Sequence, residues 1–108
     1  MSNRSALGPF QQQVLYVLLR LGDNAYGMRV WDELEGRTGK KVPLGAIYAT
    51  LERLERRGFV SSRMGDPTPE RGGRAKRYYS ITGAGATALL ESERAIATVR
   101  TTLAPKTT

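Results

Sequence analysis

The stretch PLGAIYATLERLERRGFV, residues 43–60, decides the fold of this 108-residue chain. Pro43 suits the first turn of a helix, because the N–H that proline lacks has no helical partner there. Apolar residues then recur every three or four positions, at Leu44, Ile47, Leu51 and Leu54. This spacing is typical of an amphipathic helix with one buried side. Gly58 is expected to end the helix.

The opposite side of this helix is small and sparsely charged at its start. It holds Gly45, Ala46, Tyr48, Ala49, Thr50 and Arg53. Solvated helix faces are usually dense in Lys and Glu, whereas a helix in the major groove of DNA needs slim residues for close approach and a few hydrogen-bonding side chains. We therefore expect these six residues to face double-stranded DNA.

Two further helices are predicted upstream. The first begins at Pro9 and has an apolar stripe at Phe10, Val14, Val17, Leu18 and Leu21. A turn at residues 22–24 leads to the second, over about residues 27–38, with Met28, Trp31 and Leu34 on its inner side. We assign Trp31 to the core. The second and third helices would form a helix-turn-helix.

The first helix is apolar on its other sides as well, at Leu15, Tyr16 and Leu19. A helix that is apolar nearly all round must be covered on more than one face. It is either the central core helix of one domain or a helix shared with a second subunit. The small size of the chain favours the second arrangement.

Two strands with a connector between them are predicted after the third helix. Residues 59–64 and 75–81 have the composition of strands. The connector, residues 65–74, is rich in Pro and Gly and should form an exposed hairpin tip. A basic hairpin that follows a DNA-facing helix is typical of a wing.

A fourth helix is predicted at the end, with Thr82 as its cap. Its apolar residues Leu89, Ile96 and Leu103 fall seven apart, as in a coiled-coil seam, which requires a partner. Packing within one chain is the alternative. The residues expected at a homodimer interface are Phe10, Val14, Leu18, Leu89, Ile96, Val99 and Leu103.

The fold class that follows is mainly α with a small β-hairpin: a winged helix-turn-helix domain plus a C-terminal dimerisation helix. We place the winged helix-turn-helix domain at residues 9–82 and the dimerisation helix at 83–104. Tails of residues 1–8 and 105–108 would flank them.

The basic charge is concentrated in the middle of the chain. The net charge is +7, and residues 37–77 hold eleven Lys and Arg against four Asp and Glu, while the remainder balances to zero. Such segregation favours a polyanionic partner. The residues expected at DNA phosphates or in the minor groove are Lys40, Lys41, Arg71, Arg74, Lys76 and Arg77. Arg56 and Arg57 are further candidates for contact with DNA, but they could equally oppose the dipole at the end of the third helix.

Two segments resemble a known family. AIYATLERLERRGFV, residues 46–60, and GRAKRYYSITGAG, residues 73–85, together with Tyr26-Gly27, closely resemble the PadR-like transcriptional regulators. The resemblance covers about residues 10–92. It implies a cytoplasmic homodimer that binds a palindromic operator, represses transcription and is released by a small hydrophobic effector. Because only one C-terminal helix is expected and it holds no aromatic residue, the effector would use the dimer interface without a Trp-lined cleft.

Other classes of function are disfavoured. The chain has no Cys and no His, which removes Cys/His zinc sites and His-based triads, so we expect no catalytic residue, metal or cofactor. The apolar run at residues 14–19 is too short to span a membrane. Two alternatives remain: an RNA-binding basic protein, although aromatic stacking platforms are few, and a protein-interaction adaptor with a winged helix.

Overall fold

The computed structural model describes residues 6–66 and 75–103. The elements, in chain order, are α1 (Pro9–Leu21), a 3₁₀ turn (Gly22–Asn24), α2 (Gly27–Thr38), α3 (Leu44–Arg56), β1 (Val60–Met64), β2 (Arg77–Ile81) and α4 (Gly83–Leu103). The strands form an antiparallel hairpin. The predicted class, mainly helical with a β-hairpin, is confirmed.

The core lies where α1, α2 and α3 meet and pack on the hairpin. The largest side chains that are fully buried come from all three helices: Val14, Leu15, Leu18, Val30, Ile47, Leu51 and Leu54. The predicted apolar side of α3 therefore faces inward. Burying aliphatic side chains of this size contributes roughly 1.5 to 3 kcal/mol each, which makes this cluster the main source of stability.

Glycines in the left-handed conformation follow α2 and α3. Gly39 follows α2 with φ of 72°, and Gly58 follows α3 with φ of 82°. Both values lie in the left-handed region, which glycine adopts without steric cost. The sharp reversal at Gly58 brings Phe59 directly back into the core, where it is buried. β1 consequently begins one residue later than predicted, at Val60.

The hairpin is docked onto the helices through β2. Val60 pairs with Ile81 at one end and Met64 with Arg77 at the other. The backbone N–H of Tyr79 donates to the carbonyl of Ala25 at 2.8 Å, which ties the hairpin to the segment before α2. The Tyr79 side chain is buried, and this burial raises the pKa of its hydroxyl. Residues 67–74 of the predicted hairpin tip, with Arg71 and Arg74, lie outside the described residues.

Helix α4 begins with the predicted cap. The Thr82 hydroxyl oxygen accepts from the Gly85 N–H at 3.0 Å and donates to the Gly58 carbonyl at 2.7 Å. The first turns of α4 pack on the core through Ala88 and Leu89. The second half projects, and its apolar residues are largely exposed: Ile96 by 57%, Val99 by 52% and Leu103 by 74%. No helix in the described part of the chain is long and apolar enough to cross a membrane.

The structure corrects part of the predicted dimer interface. Val14, Leu18 and Leu89 are buried within a single chain, so they offer no surface to a partner. Phe10 is partly buried and also packs on the core. α1 packs against α2, α3, β2 and α4 of its own chain, so the residues of its stripe that the sequence assigns to the dimer belong to the core of one chain. The apolar residues that α1 leaves exposed are Tyr16 and Leu19.

The inner side of α2 also differs from the prediction. Met28 is 47% exposed rather than inward-facing, and it lines an open cleft beside the start of α2. Trp31 is half-buried against the core and has a polar partner. Val30 and Leu34 are the buried aliphatic residues of this helix.

Candidate nucleic-acid interface

The outer face of α3 has the composition of a surface that approaches another molecule closely. Gly45, Tyr48, Ala49 and Arg53 are exposed, and Ala46 and Thr50 are half-buried at its edge. A β-carbon at Gly45 would meet no other atom within 4 Å. Since Ile47, Leu51 and Leu54 fix the opposite side in the core, the orientation of this face is set by packing. All six residues predicted on this face lie at the surface.

Two side chains of α2 hold the connector that leads into α3. The Trp31 indole N–H donates to the Val42 carbonyl at 2.7 Å, and the Val42 N–H donates to the Glu35 carboxylate at 2.7 Å. The carbonyl and the N–H of Val42 are therefore both bound, by two side chains that lie one turn apart on α2. We call this pair of hydrogen bonds the clamp. Lys40 and Lys41 stand exposed just before this clamp.

Sequence reasoning missed this clamp. Helical spacing assigns Trp31 to the core, and it gives Glu35 no role. The available signal was the indole N–H, since a buried tryptophan usually finds an acceptor for it. The sequence offered no indication of which acceptor that would be.

Aromatic rings support the cations at the base of the hairpin. The Lys76 ammonium lies 5.1 Å from the Tyr26 ring centroid, and the Arg63 guanidinium lies 4.8 Å from that of Tyr78. The two tyrosine rings meet edge to face at 5.6 Å. Cation–π contacts of this kind favour a fixed position for the charge. Neither Arg63 nor Tyr26 was predicted as part of the site.

Arg77 is bound through a short polar chain across the hairpin. Its Nη1 donates to the Ser62 hydroxyl at 3.1 Å, and that hydroxyl donates to the Glu55 carboxylate at 2.7 Å. Arg77 remains exposed at the first position of β2. The slim outer face of α3 therefore lies between two sets of predicted cations. One set is on the connector before α3, and the other is at the base of the hairpin.

A cleft of about 500 Å³ separates α3 from the base of the hairpin. Its walls come from the start of α2, from α3 and from β2 and the two residues before it. The lining residues are Tyr26, Gly27, Met28, Tyr48, Ala75, Lys76 and Arg77. Three elements that are distant along the chain therefore meet beside the outer face of α3.

The structure separates the roles of the two arginines at the end of α3. Arg57 donates to the Gln11 side chain at 2.9 Å and to the Ala6 carbonyl at 2.7 Å, and it lies 4.8 Å from the Phe59 ring centroid. It therefore joins the start of α1 to the end of α3, a structural role. Arg56 is exposed at the end of α3, which is compatible with contact to DNA and with opposition to the helix dipole.

Ion pairing is concentrated on another surface. In the described ranges, the ion pairs join Glu33 to Arg20 at 2.9 Å and to Arg37 at 2.8 Å, between α1 and α2. The hydrogen bond from Arg37 is the main cause that lowers the pKa of the Glu33 carboxyl, with Arg20 adding to it. Lys40, Lys41, Lys76 and Arg77 form no ion pair with a described carboxylate, so their charges are available to an anion.

A slim outer helix held in a helix-turn-helix, a basic connector before it and a basic hairpin beside it define a winged helix-turn-helix protein. Proteins of this class place the second helix of the motif in the major groove and use flanking cations to hold phosphates.

Comparison with known proteins gives the same class and a family. The PadR-like family of transcriptional regulators matches residues 14–91. The chain is 40% identical over 85 residues to the transcriptional regulator Rv3488 of Mycobacterium tuberculosis, covering 76% of this chain and 73% of the relative.

Solved structures are similar in fold. A PadR-like transcription factor from Bacteroides fragilis superposes with a TM-score of 0.75 at 22% identity, covering 87% of this chain and 85% of the other. A transcriptional regulator from Thermoplasma acidophilum gives a TM-score of 0.68 at 28% identity, covering 84% and 85%.

The chain belongs to the PadR-like family, which confirms the resemblance noted in the sequence. It is a DNA-binding transcriptional regulator and not an enzyme.

Proposed function

We propose that this protein is a cytoplasmic repressor that binds a palindromic operator as a homodimer. The observation that supports this most directly is the outer face of α3, where small exposed residues are flanked by cations without ion-pair partners among the described residues. An apposed pair of such faces, related by a twofold axis, would read two half-sites about one DNA turn apart.

Base reading is assigned to the row of Gly45, Ala49 and Arg53. These residues recur every four positions and therefore lie along one side of α3. Gly45 and Ala49 allow the helix to sit deep in the major groove, and the Arg53 guanidinium can donate two hydrogen bonds to a guanine. Ala46 and Thr50 adjoin this row and complete the contact surface.

Phosphate binding is assigned to the cations on both sides of α3. Lys40 and Lys41 lie on the connector, and Lys76 and Arg77 lie at the base of the hairpin. Arg71 and Arg74, outside the described residues, belong to the same set on the basis of the sequence. Such contacts set the register and orientation of the protein on DNA and do not read its sequence.

Dimerisation is assigned to the apolar surface that α1 and α4 leave uncovered. Ile96, Val99 and Leu103 form an exposed stripe on α4, and Tyr16 and Leu19 are exposed on α1. A groove of about 260 Å³ between α1 and α2 is lined partly by Tyr16 and has the size to accept apolar side chains. Packing α4 of a second copy against α1 would bury both surfaces.

A small hydrophobic effector is the remaining part of the proposal. Its support is the family resemblance together with the exposed apolar surface of α1 and α4. A ligand bound where these surfaces meet would alter the angle between the two subunits and hence the spacing of the two α3 helices. Release from DNA would follow from that change in spacing.

The test is selection of bound duplexes from a random-sequence pool, followed by titration of variants. Arg53→Ala should relax the base preference at one position per half-site. The discrimination lost at that position should be about 1 to 3 kcal/mol. Lys41→Ala should weaken binding to all sequences alike. Arg94→Ala is the matched control, because Arg94 is exposed on the side of α4 opposite the apolar stripe.

Three outcomes would contradict the proposal or its assignments. Altered preference with Lys41→Ala and none with Arg53→Ala would reverse the assigned roles. Preferential binding to RNA in a competition with duplex DNA would favour the RNA-binding alternative. Failure of the parent protein to bind any duplex at low salt would favour a protein-interaction adaptor.

A further inference from the structure

We infer that Gly27 is a positioning residue for Tyr48: it seats the tyrosine ring in the cleft between α2, α3 and β2, where the hydroxyl contacts a DNA phosphate and not a base edge. The inference rests on the proposed DNA binding and deepens it. It assigns Tyr48, expected from the sequence to face the major groove, to a different part of the nucleic acid.

Because Gly27 has no side chain, there is space beside α2 for the Tyr48 ring, and we call this space the seat. Gly27 is the first residue of α2 and is buried. A β-carbon at this position would overlap the ring of Tyr48, and the nearest atoms are Cζ, Cε1 and the hydroxyl oxygen. It is therefore the phenol end of the ring that rests on α2. Any larger residue at position 27 would displace it.

This contact distinguishes Tyr48 from its neighbours on α3. The ring leans back onto the first turn of α2, and Tyr48 as a whole residue is 38% exposed. Gly45, on the same outer surface, has open space where a β-carbon would lie. Tyr48 therefore forms the wall of the cleft, while Gly45, Ala49 and Arg53 are left to approach the bases.

The surroundings of the Tyr48 phenol suit a phosphate. Lys76 and Arg77 line the same cleft, and neither forms an ion pair with any carboxylate in the described part of the chain. The Lys76 ammonium is held against the Tyr26 ring at 5.1 Å from its centroid. A hydroxyl donor beside two cations without acidic partners is typical of contacts to the DNA backbone.

The experiment measures the affinity of single variants for the selected operator duplex and for unrelated duplexes. Tyr48→Phe removes only the hydroxyl, and Gly27→Ala removes the seat. Gly36→Ala is the matched control, because Gly36 lies in the same helix, is exposed and has no other atom within 4 Å of the place that a β-carbon would take. Lys76→Ala serves as the reference for a lost charge.

Tyr48→Phe should weaken binding to every duplex by about tenfold per subunit, as expected for loss of one hydrogen bond to a charged acceptor. The salt dependence should stay unchanged for Tyr48→Phe and become less steep for Lys76→Ala. Gly27→Ala should lose affinity in the same uniform way, whereas Gly36→Ala should bind like the parent. A change of base preference in Tyr48→Phe would overturn the phosphate assignment.

Thermal unfolding of Gly27→Ala, Tyr48→Ala and the double variant separates folding from binding. Alanine at position 27 should lower Tm when Tyr48 is present and should leave Tm nearly unchanged when the ring is removed. The double variant should therefore unfold at nearly the same temperature as Tyr48→Ala, and it should bind DNA no better than Tyr48→Ala does. Equal effects of Gly27→Ala in both backgrounds would overturn the seating role.

These two measurements also separate the inference from the proposed function. If the parent protein binds no duplex, the proposed function fails and the phosphate assignment fails with it. The coupling between Gly27 and Tyr48 in thermal unfolding would still be observed, because it needs no DNA.

Discussion

Glu33 is the carboxylate that joins the first two helices. It accepts hydrogen bonds from Arg20 and Arg37, and the bond from Arg37 is the main cause of its lowered pKa. A carboxyl whose pKa is lower in the folded state stabilises the fold above its ordinary pKa. That contribution is lost as the pH falls through the lowered value, where the carboxyl becomes protonated.

Glu33→Gln should therefore lower Tm at neutral pH, and its difference from the parent should shrink as the pH falls below the ordinary glutamate range. Thermal unfolding between neutral pH and about pH 3 measures this, a range that spans the ordinary glutamate pKa. Glu91→Gln is the control, since Glu91 is exposed on α4 and forms no ion pair with a described residue. A difference that stays constant with pH would contradict the prediction.

The connector between α2 and α3 depends on two residues one helical turn apart. Glu35→Ala should cost about 1 to 2 kcal/mol, because the Val42 N–H loses a charged acceptor. Glu35→Gln should cost less, since the amide oxygen can still accept. Urea unfolding of the two variants measures the difference. Equal losses in both would mean that the charge, and not the hydrogen bond to Val42, is what matters.

The projecting half of α4 is expected to act as a dimerisation element. Ile96→Glu should convert the proposed dimer to a folded monomer, because Ile96 is 57% exposed in the single chain and a charge without a partner is costly to bury in an interface. Sedimentation velocity measures the mass, and circular dichroism checks the fold. Thr98→Glu adds the same charge on the opposite side of α4 and should leave the dimer intact. An unchanged mass for Ile96→Glu would place the interface elsewhere.

The proposed dimer should bind DNA with a strong dependence on salt. If Lys40, Lys41, Lys76 and Arg77 act in each subunit, roughly eight phosphates are neutralised, and affinity should fall by about four decades between 50 and 200 mM salt. Titration of the operator duplex at several salt concentrations gives the slope. The monomeric Ile96→Glu variant should show about half of this slope, because one subunit contacts half as many phosphates. A flat response would contradict phosphate contact altogether.

Much of the molecule was predictable from local pattern. The order of the helices and strands, the inward side of α3, the cap at Thr82 and the turn at Gly58 each depend on residues close together along the chain. Hydrophobic periodicity and capping chemistry report such features directly. The family resemblance rested on short segments of the same kind and is confirmed by the match over residues 14–91.

The features that were missed or misassigned are contacts between elements far apart along the chain. Periodicity placed Val14 and Leu18 on an apolar stripe but could not say that α2, α3 and β2 would cover it, leaving Tyr16 and Leu19 outside. Nor could it indicate that Arg57 would bind Ala6.

The same limit applies to the cleft, where Gly27 lies against the Tyr48 ring. Glu35 and Val42 are only seven residues apart, but the bond between them depends on how the connector folds back onto α2, which helical spacing does not report. Local spacing specifies which side of a helix is apolar. The packing of the other elements determines what that side meets, and long-range packing is set by the shape of the whole core.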